Sequence, residues 1–288
     1  MFSSVWMYAW DLQDEGLENV LGFMRDAGVD AINMASAYHA GYFIHSHNPS
    51  HKMYFPEDGV VYFQPDGRFF QGTPLKPQVA SVSAETDWFA AAGEQLDRYG
   101  LKLVAWTVCT HNTRLGMAHP AHVVRNAFGD PYYHALCPSN PDVRRYIRGL
   151  CRNLAARYPM YAVQMESPGF MGMEHGHHHE RYGTVLRPLE LWLISLCFCH
   201  ACRRGAREHG LDMDAIAAAV KTHLADYFES APMPPQGQPR DREEMLAAVP
   251  HLTQLESFRH GVETSLIREV RQDLRSLGET RLFVLEGY

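Results

Sequence analysis

No apolar run in this 288-residue chain is long enough to cross a bilayer, and its opening residues, MFSSVWMYAW, lack a basic segment followed by a long apolar stretch. Neither a membrane span nor a secretion signal is expected, and the protein reads as cytoplasmic. Positive charge is scarce as well: 26 Lys and Arg against 33 Asp and Glu leave a net charge of -7, which speaks against nucleic acid or an anionic membrane as partner. A neutral or polar ligand fits better. No G-x-G-x-x-G motif follows any expected strand, and the turn after the first is DLQDEG, which disfavours a dinucleotide-binding sheet. Cysteines number only six, and they cluster at metal-ligand spacing, which argues against a secreted disulfide framework.

What is present is the composition of a globular chain, 46% hydrophobic and 20% charged, of a length that suits one domain over residues 1–288. Short apolar runs alternate with amphipathic segments. Strands are expected over residues 5–10, 31–37, 101–108, 160–166 and 281–285. Helices are expected over 16–27, 87–99, 141–158, 188–209, 213–230 and 252–277, the third with Asn140 as its cap and Pro141 in its first position. Residues 53–70, YFPEDGVVYFQPDGRFF within them, look like an inserted β-hairpin turning at Asp58-Gly59. Strands alternating with helices predict an α/β fold with a parallel sheet, either a (β/α) TIM-type barrel or a doubly wound sheet. A closed barrel needs eight units and only about five are visible, so the barrel looks incomplete. An open parallel edge exposes unpaired backbone groups, and self-association is expected to cover it.

Cys137, in HALCPSNPDVRRY, and Cys197, Cys199 and Cys202, in LCFCHACRR, read together as one structural zinc site within residues 137–209. Thiolates are soft ligands, a closed tetrahedral site takes four, and C-x-C-x-x-C lets three of them converge. The competing reading is a set of reduced cysteines with a redox Cys-x-x-Cys pair, but a thioredoxin-like pattern is missing. His200 lies inside the cluster and could replace one cysteine. Cys109 and Cys151 are left over as buried thiols.

Three segments, CPSNPDVRRYIRGLCRNLAARYP, AVQMES and CFCHACRR, resemble in order and approximate spacing the β-galactosidases of glycoside hydrolase family 42 and related clan-A retaining glycosidases. The resemblance covers roughly the middle third of the chain. It implies a structural zinc on Cys137, Cys197, Cys199 and Cys202, and a general acid/base at Glu166, where the family's fourth strand ends. One departure is visible. The family usually has Asn before the acid/base, contacting the sugar 2-hydroxyl, and here the residue is Met165.

Glu166 is also the best catalytic candidate by position, because barrel active sites lie at the C-terminal ends of the strands. A salt-bridged carboxylate at the sheet end is the plain alternative. A retaining mechanism needs a second carboxylate about 5 Å from the acid. In the family that nucleophile lies on a seventh strand, which is not visible here. Glu286, in FVLEGY, is the local substitute, and Asp11, at the end of the first strand, is the other carboxylate at a strand end.

Histidine is plentiful, 17 residues, and many fall just past strand ends: His39, His45, His111, and His175, His177, His178 and His179 in EHGHHHE. This run could bind a second metal with Glu174 or Glu180, or could line a sugar site. No helical H-x-x-x-H pair fixes a ligand geometry, which favours the lining role. His39, His111, His175 and His177 are therefore expected to bind substrate. Among the aromatics at strand ends, Trp6, Tyr8, Trp10, Tyr38 and Trp106, the pair Trp10 and Trp106 are the expected stacking platforms, core packing being the alternative. Arg114 could orient an acidic ligand or form a surface ion pair. Three functions compete: a glycosidase using Glu166, a metal-dependent sugar lyase, isomerase or hydrolase using the histidines, and a carbohydrate-binding barrel remnant without a nucleophile.

Overall fold

The computed structural model describes residues 2–175, 183–230 and 237–285. In chain order the elements are β1 (Ser4–Met7), α1 (Ala9–Glu15), α2 (Leu17–Asp26), β2 (Ala31–Tyr38), β3 (Phe43–Ile44), β4 (Met53–Tyr54), β5 (Val60–Val61), β6 (Gln78–Val79), α3 (Trp88–Tyr99) and β7 (Lys102–Val108). They continue with α4 (Thr113–Ala118), β8 (Val123–Arg125), β9 (Pro131–Leu136), α5 (Pro141–Arg157), β10 (Met160–Glu166), α6 (Pro188–Ile194), α7 (His200–Glu208), α8 (Met213–Glu229), α9 (Arg242–Ala248), α10 (Leu252–Leu277) and β11 (Arg281–Val284).

Five strands run parallel in the order β1-β2-β7-β10-β11. That is the order in which the chain makes them, so the sheet is wound in one direction as in a barrel, not doubly wound. Among the described residues the sheet does not close. One face packs on helices: Ile32, Met34, Leu103, Ala105, Val163 and Met165 share a core with residues of α2, α3, α5 and α10. The other face curls into a trough. At its N-terminal end Phe2 stacks on Tyr161 at 5.0 Å and meets Phe283 at 6.1 Å, bringing the two edges of the sheet towards each other across the inner face.

A second core lies outside the sheet, where the antiparallel pair β8 and β9 meets α6, α7, α8 and α9. α10 joins the two. Its 26 residues span about 39 Å at 1.5 Å per residue. Leu252, Leu255 and Phe258 at one end belong to the second core, while Leu266, Val270 and Leu274 at the other pack under the sheet. Arg148 of α5 fixes this orientation with a two-pronged bond to Asp273, at 2.6 and 2.9 Å.

Three expectations are corrected. The hairpin across Asp58-Gly59 does not form: Met53 and Tyr54 pair with Ile44 and Phe43, while Val60 and Val61 pair with β2 and β6. The turn itself exists, with Gly59 at φ +63, because a Cβ there would sit 2.1 Å from Asn112 Oδ1. The first strand stops at Met7, and residues 9–15 form α1, with Asp11 Oδ2 accepting the Tyr8 amide at 2.8 Å. The expected helix over 188–209 is broken at 195–199. Residues two apart on a helix point to different sides, so Cys197 and Cys199 can face one partner only where the helix is interrupted.

α6 and α8 are joined by a buried ion pair. Glu190, fully buried, accepts from Arg187 Nε at 2.8 Å and lies 3.0 Å from His223 Nε2. Burial pushes the Glu190 carboxyl up, but the bonds from Arg187 and His223 together outweigh it and hold the group below the usual carboxylate range. A depressed carboxylate contributes stability above its unfolded pKa and loses it as pH falls through the folded value. Replacing His223 by Ala should cost about 1–3 kcal/mol, read from the urea midpoint at neutral pH, because one bond to a buried charge is lost. A midpoint unchanged from wild type would deny the pair any structural role.

Candidate functional site

Glu166 is the last residue of β10, and its neighbours fix it in register: Cys109 N donates to Glu166 O at 2.9 Å and Thr110 N to Ser167 O at 3.1 Å. Directly after it the chain turns sharply. Ser167 has φ +48, a left-handed conformation unfavourable for a residue with a side chain, held by Thr110 Oγ1 donating to the carbonyls of Ser167 and Gly169 at 2.7 and 3.0 Å. The Glu166 carboxylate is half-buried and accepts the indole N–H of Trp106.

That bond changes the role expected of Trp106. Its ring is 7% exposed, stacked by Trp6 at 5.5 Å and met edge-on by Tyr38 at 4.9 Å. It holds Glu166 rather than offering a free face. Trp10 is corrected outright: only 1% exposed in α1, it is sandwiched between Tyr8 at 4.1 Å and Tyr54 at 3.9 Å, so both faces are covered. The ring with an open face is Trp6, 55% exposed on the inner side of β1. Strand alternation places it there, and only the early end of β1 hid the distinction between Trp6 and Trp10.

His39 and His111 do come together. Their rings stack at 4.1 Å, His39 also stacks on Tyr38 at 4.4 Å, and His134 meets His111 edge-on at 6.0 Å while bonding to Gly172 O. This column stands beside Trp106 through Tyr38. His175 closes a short turn over Met173–His175, while its side chain, and all of His177, His178, His179 and Glu180, lie outside the described residues, as does Glu286. The alternative of a second metal at that run falls on the same undescribed stretch, and Glu174 is exposed. The strand leading to Glu286 is in place, with Leu285 N donating to Met165 O at 2.8 Å. Asp11 is not at a strand end; it is buried in α1, facing His45 Nδ1 at 3.3 Å, and burial raises its carboxyl. Arg114 is spent on Asp58, through its amide at 2.9 Å and Nε at 2.9 Å. Met165 is fully buried on the helix side and offers the trough nothing polar.

The four cysteines converge as expected, all buried and with their sulfurs within 4.8 Å of one another. Cys137 Sγ lies 3.5 Å from Cys199, 3.6 Å from Cys202 and 3.9 Å from Cys197. Four thiolates at 2.3 Å from a tetrahedral zinc would stand about 3.8 Å apart, so the cluster has the size for a metal ion. The neighbouring thiols hold Cys199 far below the ordinary thiol range, while burial pushes Cys137 up. His200 is exposed and takes no part. Cys109 and Cys151 are buried thiols, the second pushed up to about 12 by burial.

No family model matches the chain, and no curated protein matches it in sequence. Several solved structures match in shape. The chain is similar to α-L-fucosidase isoenzyme 2 from Paenibacillus thiaminolyticus, at 12% identity and TM-score 0.53, over 94% of this chain and 29% of that one. It is similar to the β-galactosidase of the psychrophilic Marinomonas ef1, at 14% and 0.52, over 99% of this chain and 37% of that one. The PgaB (BpsB) glycoside hydrolase domain of Bordetella bronchiseptica matches at 14% and 0.52, over 99% of this chain and 65% of that one. Likeness at this identity is likeness of fold: the protein has a (β/α) barrel-type architecture, whose sheet does not close among the described residues. The chain spans less than two thirds of the length of each of these three structures.

Proposed function

We propose that the protein is a glycoside-hydrolase-like barrel acting on a carbohydrate, with Glu166 as general acid/base. The observation that supports this most is the seating of the carboxylate: it ends the fourth parallel strand, at the face where barrel enzymes do their chemistry, and an indole N–H from the neighbouring strand orients it. Trp6 beside it offers an open ring to a pyranose face. Glu166 would protonate the departing glycosidic oxygen and then activate water. Family 42 is the resemblance behind this role, but recognition of a 2-hydroxyl by the residue before the acid is not available from buried Met165. Glu286 is proposed as the second carboxylate. His39 and His111 would bind hydroxyls from the far side of Tyr38, with His175 and His177 following them in sequence.

The metal at the four cysteines is proposed to be zinc, in a structural role: all four ligand positions are protein thiols, which leaves none open for substrate. Six cysteines without a disulfide suit a reducing, cytoplasmic compartment. Self-association is proposed to cover the open edge of the sheet, beside which Phe2 is exposed. Sedimentation at micromolar concentration should find a species larger than a monomer.

The function is tested with a panel of aryl glycosides, assayed with and without EDTA. Release of the aryl group that survives brief chelation supports the proposal. Activity abolished by chelation within minutes supports instead the metal-dependent alternative, and sugar binding without release supports the non-catalytic remnant. Trp106→Phe should then lower kcat about 10- to 100-fold, the worth of one bond to a charged group. A kcat equal to wild type would mean that the Trp106 indole does not orient the carboxylate.

A further inference from the structure

All three carboxylates of α1 meet an imidazole from one short loop. Residues 45–52 connect β3 to β4, and His45 Nδ1 faces Asp11 Oδ1 at 3.3 Å, His47 Nε2 faces Glu15 at 3.2 Å, and His51 Nδ1 faces Asp14 at 2.8 Å. Asp11, Asp14 and Glu15 lie at i, i+3 and i+4, so they form one stripe along the helix, and the loop lies along that stripe. No Lys or Arg shares in these pairs. Among the described residues only the four cysteines bring three or more ligand atoms within 4.8 Å of one another, so the imidazoles here meet carboxylates pairwise and not around a shared ion.

The loop is closed on itself by hydrogen bonds. Its ends are tied by His45 N donating to Lys52 O at 3.0 Å, and buried Asn48 accepts the amides of Ser50 and His51 at 2.8 Å while donating to Asp14 at 2.9 Å. Lys52 Nζ donates to the carbonyls of Ser46 and Asn48 at 3.0 and 2.7 Å. What attaches this loop to α1 is the three imidazole pairs, the Asn48 amide, and aromatic packing of Phe43 and Tyr54 on Tyr8 and Trp10. Tyr8 in turn lies 5.7 Å from Trp106, the ring that holds Glu166.

We infer that residues 43–54 form a protonation-controlled latch on α1, fastened by three histidine-carboxylate pairs and loosened as the imidazoles lose their protons. Imidazole is the side chain whose charge ordinarily changes between pH 5 and 8, which Lys and Arg do not do. A protonated histidine beside a carboxylate contributes attachment at low pH and loses it as pH rises. At the acid end, burial raises the Asp11 carboxyl, which limits its pair from that side. The other groups facing the latch do not interfere. Lys52 is spent on carbonyls, Tyr8, Tyr54 and Tyr62 are pushed up by burial, and Glu57 accepts the Ser81 amide. The inference stands apart from the catalytic role of Glu166, since it concerns only how the hairpin is attached.

Amide hydrogen exchange on the full chain at pH 5.5 and pH 8.0, corrected for intrinsic rates, tests it. Protection of the His45 and Asn48 amides should fall about tenfold or more between the two pH values, while β7 and β10 stay constant. His47→Gln with His51→Gln, both at exposed positions, should remove most of that pH dependence without unfolding the protein. Asp14→Asn should remove the His51 share alone. Equal protection of the wild-type hairpin at both pH values, or undiminished pH dependence in the double variant, would overturn the latch.

Discussion

Replacing Glu166 by Gln is expected to lower turnover of a glycoside about 10²- to 10⁴-fold while leaving substrate affinity within a few fold. The two side chains have the same shape, and the Gln carbonyl oxygen can still accept the Trp106 indole N–H, so the position of the group is kept. What the amide cannot do is give up and take back a proton. Transition-state stabilisation is therefore lost without loss of ground-state contacts, which lowers kcat rather than raising KM. Single-turnover measurement on an activated aryl glycoside checks it, because a good leaving group needs less help from an acid and should show the smaller deficit. Turnover equal to wild type on a poor leaving group would remove Glu166 from the chemistry.

Cys137→Ala should release the metal and cost at least about 3 kcal/mol, lowering Tm by roughly 5–10 °C. Protein purified without a metal-binding tag should carry about one zinc per chain, and the variant none. The expected loss is large because the cluster is the centre of the second core. Cys137 precedes α5, Cys202 lies in the first turn of α7, and both share one core with Leu193, Leu196, Phe198 and Ala206. Cys151→Ala provides the comparison. It also removes a buried thiol, but from the core under the sheet, where only a small cavity results, so it should cost far less and leave the metal in place. Equal losses in both variants, with no metal found in the wild type, would reduce the cluster to four packed thiols.

The parallel strands were legible because each carries its own signal. Residues 160–166 read as a strand from the apolar run MYAVQME between a helix end and Ser167-Pro168, and β10 occupies that span. α5 was announced by Asn140 and Pro141, and the Asn140 side chain does accept the Asp142 amide. α10 matches the expected 252–277 because a 26-residue helix repeats its apolar spacing many times. Short elements had no such redundancy. α1 is only seven residues, and its Tyr8-Ala9-Trp10 start continues the apolar run of β1, so Trp10 was assigned to the wrong element and hence to the wrong role. The β8 and β9 pair and the two-residue strands take partners that local pattern does not specify.

By itself, the sequence determined the class of fold, the presence of its five parallel strands, the four cysteines that meet, and the position of Glu166 at a strand end. Those follow from periodicity, caps and ligand type, which are local or nearly so. Only the tertiary structure decided what each side chain faces. It turned Trp106 from a platform into the donor that seats Glu166, buried Trp10 between two tyrosines, left Trp6 open, and laid three histidines along one carboxylate stripe. The physical reason is that exposure and pairing depend on residues 30 to 60 positions away, brought close by the curl of the sheet, and no pattern along the chain carries that information.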